Sequence, residues 1–209
     1  MQSVRLTNII RKVIVMCGRY YIESGWEGEI EDVVQDIDRR IRQEQFIGDV
    51  HPTDLAPVIE MENQRLKLNT SRWGYPLSKG KSLVINARVE SVMDKPAFRD
   101  GIRYHRLLIP ASGFYEWNSM KEKNIFSRSD ETVLYIAGFC DWFENERRFV
   151  ILTTAANDSM IKVHDRMPLI IEKEQFTDWF DNDRMEAILH QKPVMLKRQA
   201  EYEQQSLFL

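Results

Sequence analysis

Cysteine is nearly absent: the 209 residues include two, Cys17 and Cys140. Two thiols cannot build the disulfide framework of a small secreted domain, and their scarcity suits a reducing cytoplasm. Glycine and proline are also sparse, at 9 and 7, which excludes a collagen-like or low-complexity chain. No apolar run approaches the roughly 20 residues a membrane helix needs, so no membrane partner is expected. An excess of basic charge is missing too: 29 Lys and Arg against 32 Asp and Glu leave −3. A protein that holds nucleic acid by bulk electrostatics is expected to be basic, so any DNA contact must come from a local patch. The histidines, His51, His105, His164 and His190, are scattered, without the close ligand spacing of a zinc site, and no metal is expected. There is no Gly-rich phosphate loop and no G-x-S-x-G nucleophile elbow. What remains is an ordinary globular mix, 43% hydrophobic, 11% aromatic and 29% charged, long enough for one sizeable core.

The chain opens MQSVRLTNIIRKVIVM, with Arg5, Arg11 and Lys12 ahead of a very short apolar run, Val13 to Met16. A secretory signal needs an apolar core of about 7–15 residues and small residues at its cleavage site, and neither is present. An upstream start codon and a removable propeptide both fit, and both make Cys17 a new N-terminus. The expected organisation is an extension, 1–16, ahead of one domain, 17–209.

Apolar Ile30, Val33, Val34, Ile37 and Ile41 recur at spacings of three and four, which predicts a helix over 26–46. Val58–Met61 reads as a strand, and Asn63-Gln64 as a hairpin turn into Arg65–Asn69. Ser82–Val89, Tyr104–Pro110, Thr132–Phe139 and Arg148–Thr154 are further strands, rich in β-branched or aromatic residues. Glu172–Phe180 and Asp183–Leu189 read as two short late helices. Strands outnumber helices and short turns join them. This predicts a single α+β domain, mainly an antiparallel twisted sheet or open barrel with peripheral helices.

Four strings carry chemistry. In Met-Cys-Gly-Arg, removal of Met16 would leave Cys17 with an α-amine and a thiol on adjacent carbons. Such a 1,2-aminothiol condenses with aldehydes to a thiazolidine, and both groups titrate close to neutral pH. Arg19 can lower the thiol pKa or hold a phosphate; the alternative for Cys17 is a small buried apolar residue. In Asn86-Ala87-Arg88-Val89-Glu90 the period of two puts Asn86, Arg88 and Glu90 on one face, either a solvated sheet face or an amide and a guanidinium on a rigid strand. Glu116 lies between Tyr115 and Trp117. It is expected to be partly desolvated by them and so raised toward a general acid/base range, or else to point outward. In His164-Asp165-Arg166, the imidazole can shuttle protons, Asp165 can fix its tautomer and Arg166 offers phosphate affinity. Arg99, Arg103 and Arg106 with His105 form a basic cluster that either adds to a groove or is solvated.

Five strings occur in order: Met-Cys-Gly-Arg, Arg-Trp-Gly at 72–74, Asn-Ala-Arg-Val-Glu, Ile-Pro-Ala-Ser-Gly-Phe-Tyr-Glu-Trp at 109–117 and His-Asp-Arg-Met-Pro at 164–168. Together they resemble the SRAP family, the SOS response-associated peptidases, over roughly Cys17 to Phe180. The resemblance implies a DNA-damage protein, with no cofactor, whose N-terminal cysteine crosslinks to abasic sites in single-stranded DNA. It also implies autoproteolytic exposure of that cysteine. By motif position, Cys17 is the implied nucleophile, Asn86 orients the sugar, and Glu116 and His164 move protons. Arg19, Pro52, Trp73, Arg88, Thr154 and Arg166 are the implied DNA contacts. A monomer in the cytoplasm, associated with the nucleoid when bound to DNA, is expected. The chain departs from the pattern after Trp73-Gly74-Tyr75-Pro76, where a further Trp pair is replaced by Leu77-Ser78-Lys79-Gly80-Lys81. The closing segment QQSLFL also matches poorly. A cysteine peptidase acting on other proteins and a non-catalytic DNA-binding module are the competing readings.

Overall fold

Alternating polar and apolar residues in short β-prone runs make this a sheet protein, and the turn chemistry sets its registers. The computed structural model describes residues 18–37, 41, 46–77 and 82–200. Its elements are β1 (Tyr20–Ile22), α1 (Trp26–Glu31), β2 (Asp36–Ile37), β3 (Gly48–Val50), β4 (Leu55–Glu62) and β5 (Arg65–Trp73). Then follow β6 (Tyr75–Pro76), β7 (Leu83–Val84), β8 (Asn86–Arg88), α2 (Pro96–Tyr104), β9 (Arg106–Ala111), β10 (Gly113–Trp117) and β11 (Lys123–Ser127). The last are β12 (Leu134–Phe143), β13 (Glu146–Ala155), β14 (Arg166–Pro168), α3 (Phe176–Phe180), α4 (Met185–Leu189) and β15 (Lys197–Ala200).

Strands β5, β4, β9, β12 and β13 pair in that order, each antiparallel to the next. The ring closes where β13 runs parallel to β5, through Arg148 opposite Arg72 and Phe149 opposite Trp73. Closure removes the free edges that an open sheet exposes. The β4–β5 hairpin turns at Asn63 and Gln64, both at positive φ (51° and 61°), as the tight hairpin turns that match strand twist require. β9 is buried at every position and β12 from Leu134 to Cys140. Their apolar runs are continuous because both faces are covered. Helix α2 begins at Pro96, whose fixed φ suits a first helical position. It crosses β12 so closely at Gly101 that an added Cβ would stand 2.5 Å from Phe139. A second antiparallel sheet, in the order β15, β11, β10, β1, β3, packs alongside.

The fold is the expected α+β arrangement with peripheral helices, and three local expectations change. The helix predicted over 26–46 ends at Glu31. Gln35 then pairs through both its backbone and its side chain with Leu66, and Asp36–Ile37 joins β5 as a parallel strand; residues 38–40 and 42–45 lie outside the described residues. Sheet pairing captured apolar positions whose spacing suited a helix equally well. Tyr104 belongs to the end of α2 rather than to a strand. Arg106 is no groove cation either. It is 6% exposed and donates to the carbonyls of Ile102, Arg103, Trp179 and Phe180 and to Asn182, tying the end of α2 to α3.

Candidate functional site

The described chain enters at Gly18, one peptide bond after Cys17, and becomes the strand β1 between β10 and β3. Tyr20 lies opposite Phe114 on one side and Val50 on the other, and the Tyr115 N–H donates to the Arg19 carbonyl at 3.0 Å. Running the β1–β10 register two residues back brings Gly18 level with Glu116, while on the other side β3 ends at Val50, two residues before Pro52. Cys17 itself lies outside the described residues, as do the 1–16 extension, Lys79, Lys81 and the QQSLFL tail.

Glu116 is 3% exposed, but not for the reason its sequence neighbours suggested. Alternation along β10 sends Tyr115 and Trp117 to the outer face, while Phe114 and Glu116 turn inward. Its burial therefore comes from the inner face. There it lies opposite Asn124 of β11, which is fully buried and accepts from Arg198 at 2.8 Å. The expectation that the flanking rings desolvate Glu116 is corrected accordingly. Asn124 and Arg198 were missed in the sequence, where a single Asn in a lysine-rich turn carries no signal.

Trp73 is a second correction. Its side chain is 0% exposed, lies parallel to Phe149 at 6.2 Å and packs on Tyr20 at 5.3 Å. It cannot stack on a DNA base. Its indole N–H instead donates to the Ile85 carbonyl at 3.0 Å, the group that precedes Asn86, and the Ile151 N–H donates to the same oxygen. The backbone of Trp73 accepts from Thr53 and donates to the carbonyl of Asp54, so it also holds the turn that carries half-buried Pro52. One buried indole thus joins the entry strand, the Pro52 turn and the Asn86 strand. Trp73→Phe removes one of the two donors to Ile85 and leaves a void where the second ring of the indole was. Urea unfolding should register a loss larger than the about 0.5–1.5 kcal/mol of one hydrogen bond, because the cavity adds to it.

The remaining candidates gather on β13. β8 runs parallel to it, with Asn86 opposite Ile151 and Arg88 opposite Thr153, while β14 pairs Thr154 with Met167. Asn86 is half-buried, Arg88 exposed and Thr154 buried. Arg166 does not extend a free fork outward. Its two terminal nitrogens grip both oxygens of Glu90, and it also donates to the Thr153 carbonyl. That hydrogen bond, with Arg88 adding charge, holds the Glu90 carboxyl below the usual range. The pairing partner that the sequence left unnoticed is Glu90.

His164 heads this cluster with 13% of its side chain exposed. Its Nδ1 accepts the Arg166 backbone N–H at 3.0 Å. The neutral ring therefore carries its proton on Nε2, and a backbone donor selects the tautomer. Asp165, its Oδ1 also 3.0 Å from Nδ1, gains an attractive partner only when the ring is protonated. Burial pushes the His164 pKa below its ordinary 6.5, with Asp165 pulling the other way. The unfolded chain then binds a proton that the native state refuses. His164 costs nothing above pH 6.5 and loses stability as pH falls through the folded pKa. In His164→Gln, the fall of the urea midpoint below pH 6.5 should be shallower than in the parent.

The structure thus sets Gly18 level with Glu116, gathers Asn86, Arg88, Thr154, His164 and Arg166 along β13, and links the two groups and the Pro52 turn through Trp73. Arg19 stands apart on the outer face of β1, 3.4 Å from Asp49. Among the described residues no group of three or more His, Cys, Asp or Glu is placed to hold a metal ion, and no helix is long and apolar enough to cross a membrane.

The chain is 30% identical over 181 residues to the abasic site processing protein YoqW of Bacillus subtilis (strain 168), covering 76% of this chain and 77% of that one. It is 28% identical over 170 residues to the abasic site processing protein YedK of Escherichia coli (strain K12), covering 76% and 77%. Solved proteins from Bacteroides thetaiotaomicron (20% identity, 90% and 93% covered) and Bordetella bronchiseptica (22%, 88% and 99%) each superpose with a TM-score of 0.73 and share the fold. The family model for SOS response associated peptidase (SRAP) matches residues 16–206, and the chain belongs to that family.

Proposed function

We propose that this protein processes abasic sites in DNA by forming a covalent adduct through Cys17, once residues 1–16 are gone. The observation that carries it is the register of β1 against β10, which sets the backbone just after Cys17 level with buried Glu116. The family match beginning at Met16 supports reading the residues ahead of Met16 as an extension, and hydrolysis of the Met16–Cys17 bond by the protein itself would expose the aminothiol.

An abasic deoxyribose opens to an aldehyde at C1. The Cys17 amine adds to that carbon and, with loss of one water, gives an imine. The thiolate then adds across the C=N bond, the nitrogen takes up the proton, and a five-membered thiazolidine closes with no further loss. Glu116 moves protons to and from the amine and the departing oxygen. As the ring opens, the C1–oxygen bond breaks, the C1 hydroxyl gives up its proton and the ring oxygen takes one, with His164 donating a hydrogen bond from Nε2–H to that oxygen. Asn86 hydrogen-bonds the sugar and holds it on β8. Arg88, exposed at the end of β8, takes a phosphate, and a phosphate reaching Arg166 must compete with Glu90.

The test is intact mass before and after incubation with a single-stranded oligonucleotide carrying one abasic site. A chain beginning at Cys17 should gain the oligonucleotide mass minus one water and keep it through denaturation. A Cys17-terminated sample that binds the DNA yet gains no mass would sink the covalent reading and leave a DNA-binding module.

A further inference from the structure

Among the described residues few polar side chains are fully buried, and Asn157, 1% exposed, is one that the reactive site does not use. It stands just past the end of β13, in the turn that leads to His164. Its amide nitrogen is committed to a distant segment, donating to the Pro193 carbonyl at 2.9 Å and to the Val194 carbonyl at 2.8 Å. Its Oδ1 accepts from the backbone N–H and from the hydroxyl of Ser159. The Ser159 Oγ in turn accepts the Leu196 N–H at 3.2 Å. The turn is thereby stitched to the segment 193–196.

The backbone carries the same order forward to the imidazole. The Asn157 carbonyl accepts from Met160 and Ile161, and the Met160 carbonyl accepts from Val163 and His164. The Ala156 N–H closes the turn on the Asp165 carbonyl at 3.0 Å. Asn157 is therefore the floor of the turn that presents the His164 ring to the Arg166 N–H. The stitched segment also reaches the other half of the site. It continues into β15, where Arg198 donates to Asn124, the residue opposite Glu116. One stretch of chain thus braces the His164 turn at one end and the strand beside Glu116 at the other. A buried amide with its hydrogen bonds made rigidifies what it joins, and a buried carbonyl left without its donor is costly. We infer that Asn157 is a positioning residue: through Pro193 and Val194 it fixes the turn that aims His164 and holds it in register with the sheet of Glu116. The inference rests on the role proposed for His164, and one of its two tests needs no reaction.

Asn157→Asp keeps an acceptor for Ser159 and sets a second oxygen where the Pro193 and Val194 carbonyls require a donor. In the Cys17-terminated protein, single-turnover adduct formation at saturating abasic DNA should slow by about tenfold to a hundredfold, the scale of a group misplaced by about 1 Å. Affinity for the same oligonucleotide without the lesion should stay as in wild type. The test free of chemistry is the nitrogen–nitrogen scalar coupling across the hydrogen bond from the Arg166 amide to His164 Nδ1, read by NMR at about pH 8, where the ring is neutral. Wild type should show the coupling. Asn157→Asp should lose it, together with exchange protection of the Arg166 amide. Ser159→Ala, which removes only the hydroxyl's bonds to Asn157 and Leu196, should weaken both signals and carries the test if Asn157→Asp does not fold. Asn182→Ala, which removes one acceptor of Arg106, is the control and should match wild type. If the turn variants lower the urea midpoint but keep the coupling and the rate, Asn157 only stabilises the fold and the inference is overturned. Loss of the coupling at an unchanged rate overturns it as well. If wild type itself forms no adduct, the covalent reading fails, yet loss of the coupling still assigns the hold on His164 to Asn157 and its retention still refutes it.

Discussion

Cys17→Ala will yield no denaturation-stable adduct with abasic single-stranded DNA while retaining non-covalent binding. The thiazolidine needs two nucleophiles on adjacent carbons, and alanine supplies only the amine. Cys17→Ser is the sharper variant. Its amine still forms the imine, but a hydroxyl near pH 7 is a far poorer nucleophile than a thiol that titrates near 8.5. The expected product is a labile imine, lost on denaturation unless reduced with borohydride. A stable serine adduct formed without reductant would overturn the ring-closure step, and full crosslinking by Cys17→Ala would remove Cys17 from the chemistry altogether.

Glu116→Gln should slow adduct formation by about 10²- to 10⁴-fold, the range that a positioned acid or base contributes. Glutamine keeps the size of the side chain and its capacity to hydrogen-bond inside the sheet, so packing is conserved and only proton transfer is lost. Single-turnover rates at saturating DNA, measured over about pH 5–9, report this directly. The wild-type dependence on pH should contain a limb that the variant lacks. A rate unchanged across that range would remove Glu116 from proton transfer and leave it as a buried polar residue of β10.

Much of the sheet was legible in the sequence because strands announce themselves locally. Asn63-Gln64 marked its hairpin, and the apolar segments at Thr132–Phe139 and Arg148–Thr154 became the longest barrel strands. The second sheet was hard to see. β1 and β3 are three residues each, too short for alternation to register, and their pairing depends on partners about 30 and 90 positions away in the chain. Helix α2 buries Phe98, Gly101 and Ile102, a stripe at helical spacing that spans little more than one turn and so carries only a short signal. The 26–46 segment failed in the other direction: its spacing was helical, but pairing with β5 drew Ile37 into a strand.

At the site, residue identity was legible and orientation was not. The sequence by itself determined which chemistry is available, because an aminothiol, a carboxylate, an imidazole and several guanidiniums are properties of side chains and of their order in the chain. Tertiary structure alone decided which face each of them serves. Alternation on β10 turned Glu116 inward and its neighbouring rings outward. Packing against Tyr20 and Phe149 turned Trp73 from a stacking surface into the pin between two halves of the site, and the long-range pairing with Glu90 occupied Arg166. The physical reason is the same in each case. A side chain's reactivity is covalent and local, whereas its burial and its partner are set by strands that meet only when the chain folds.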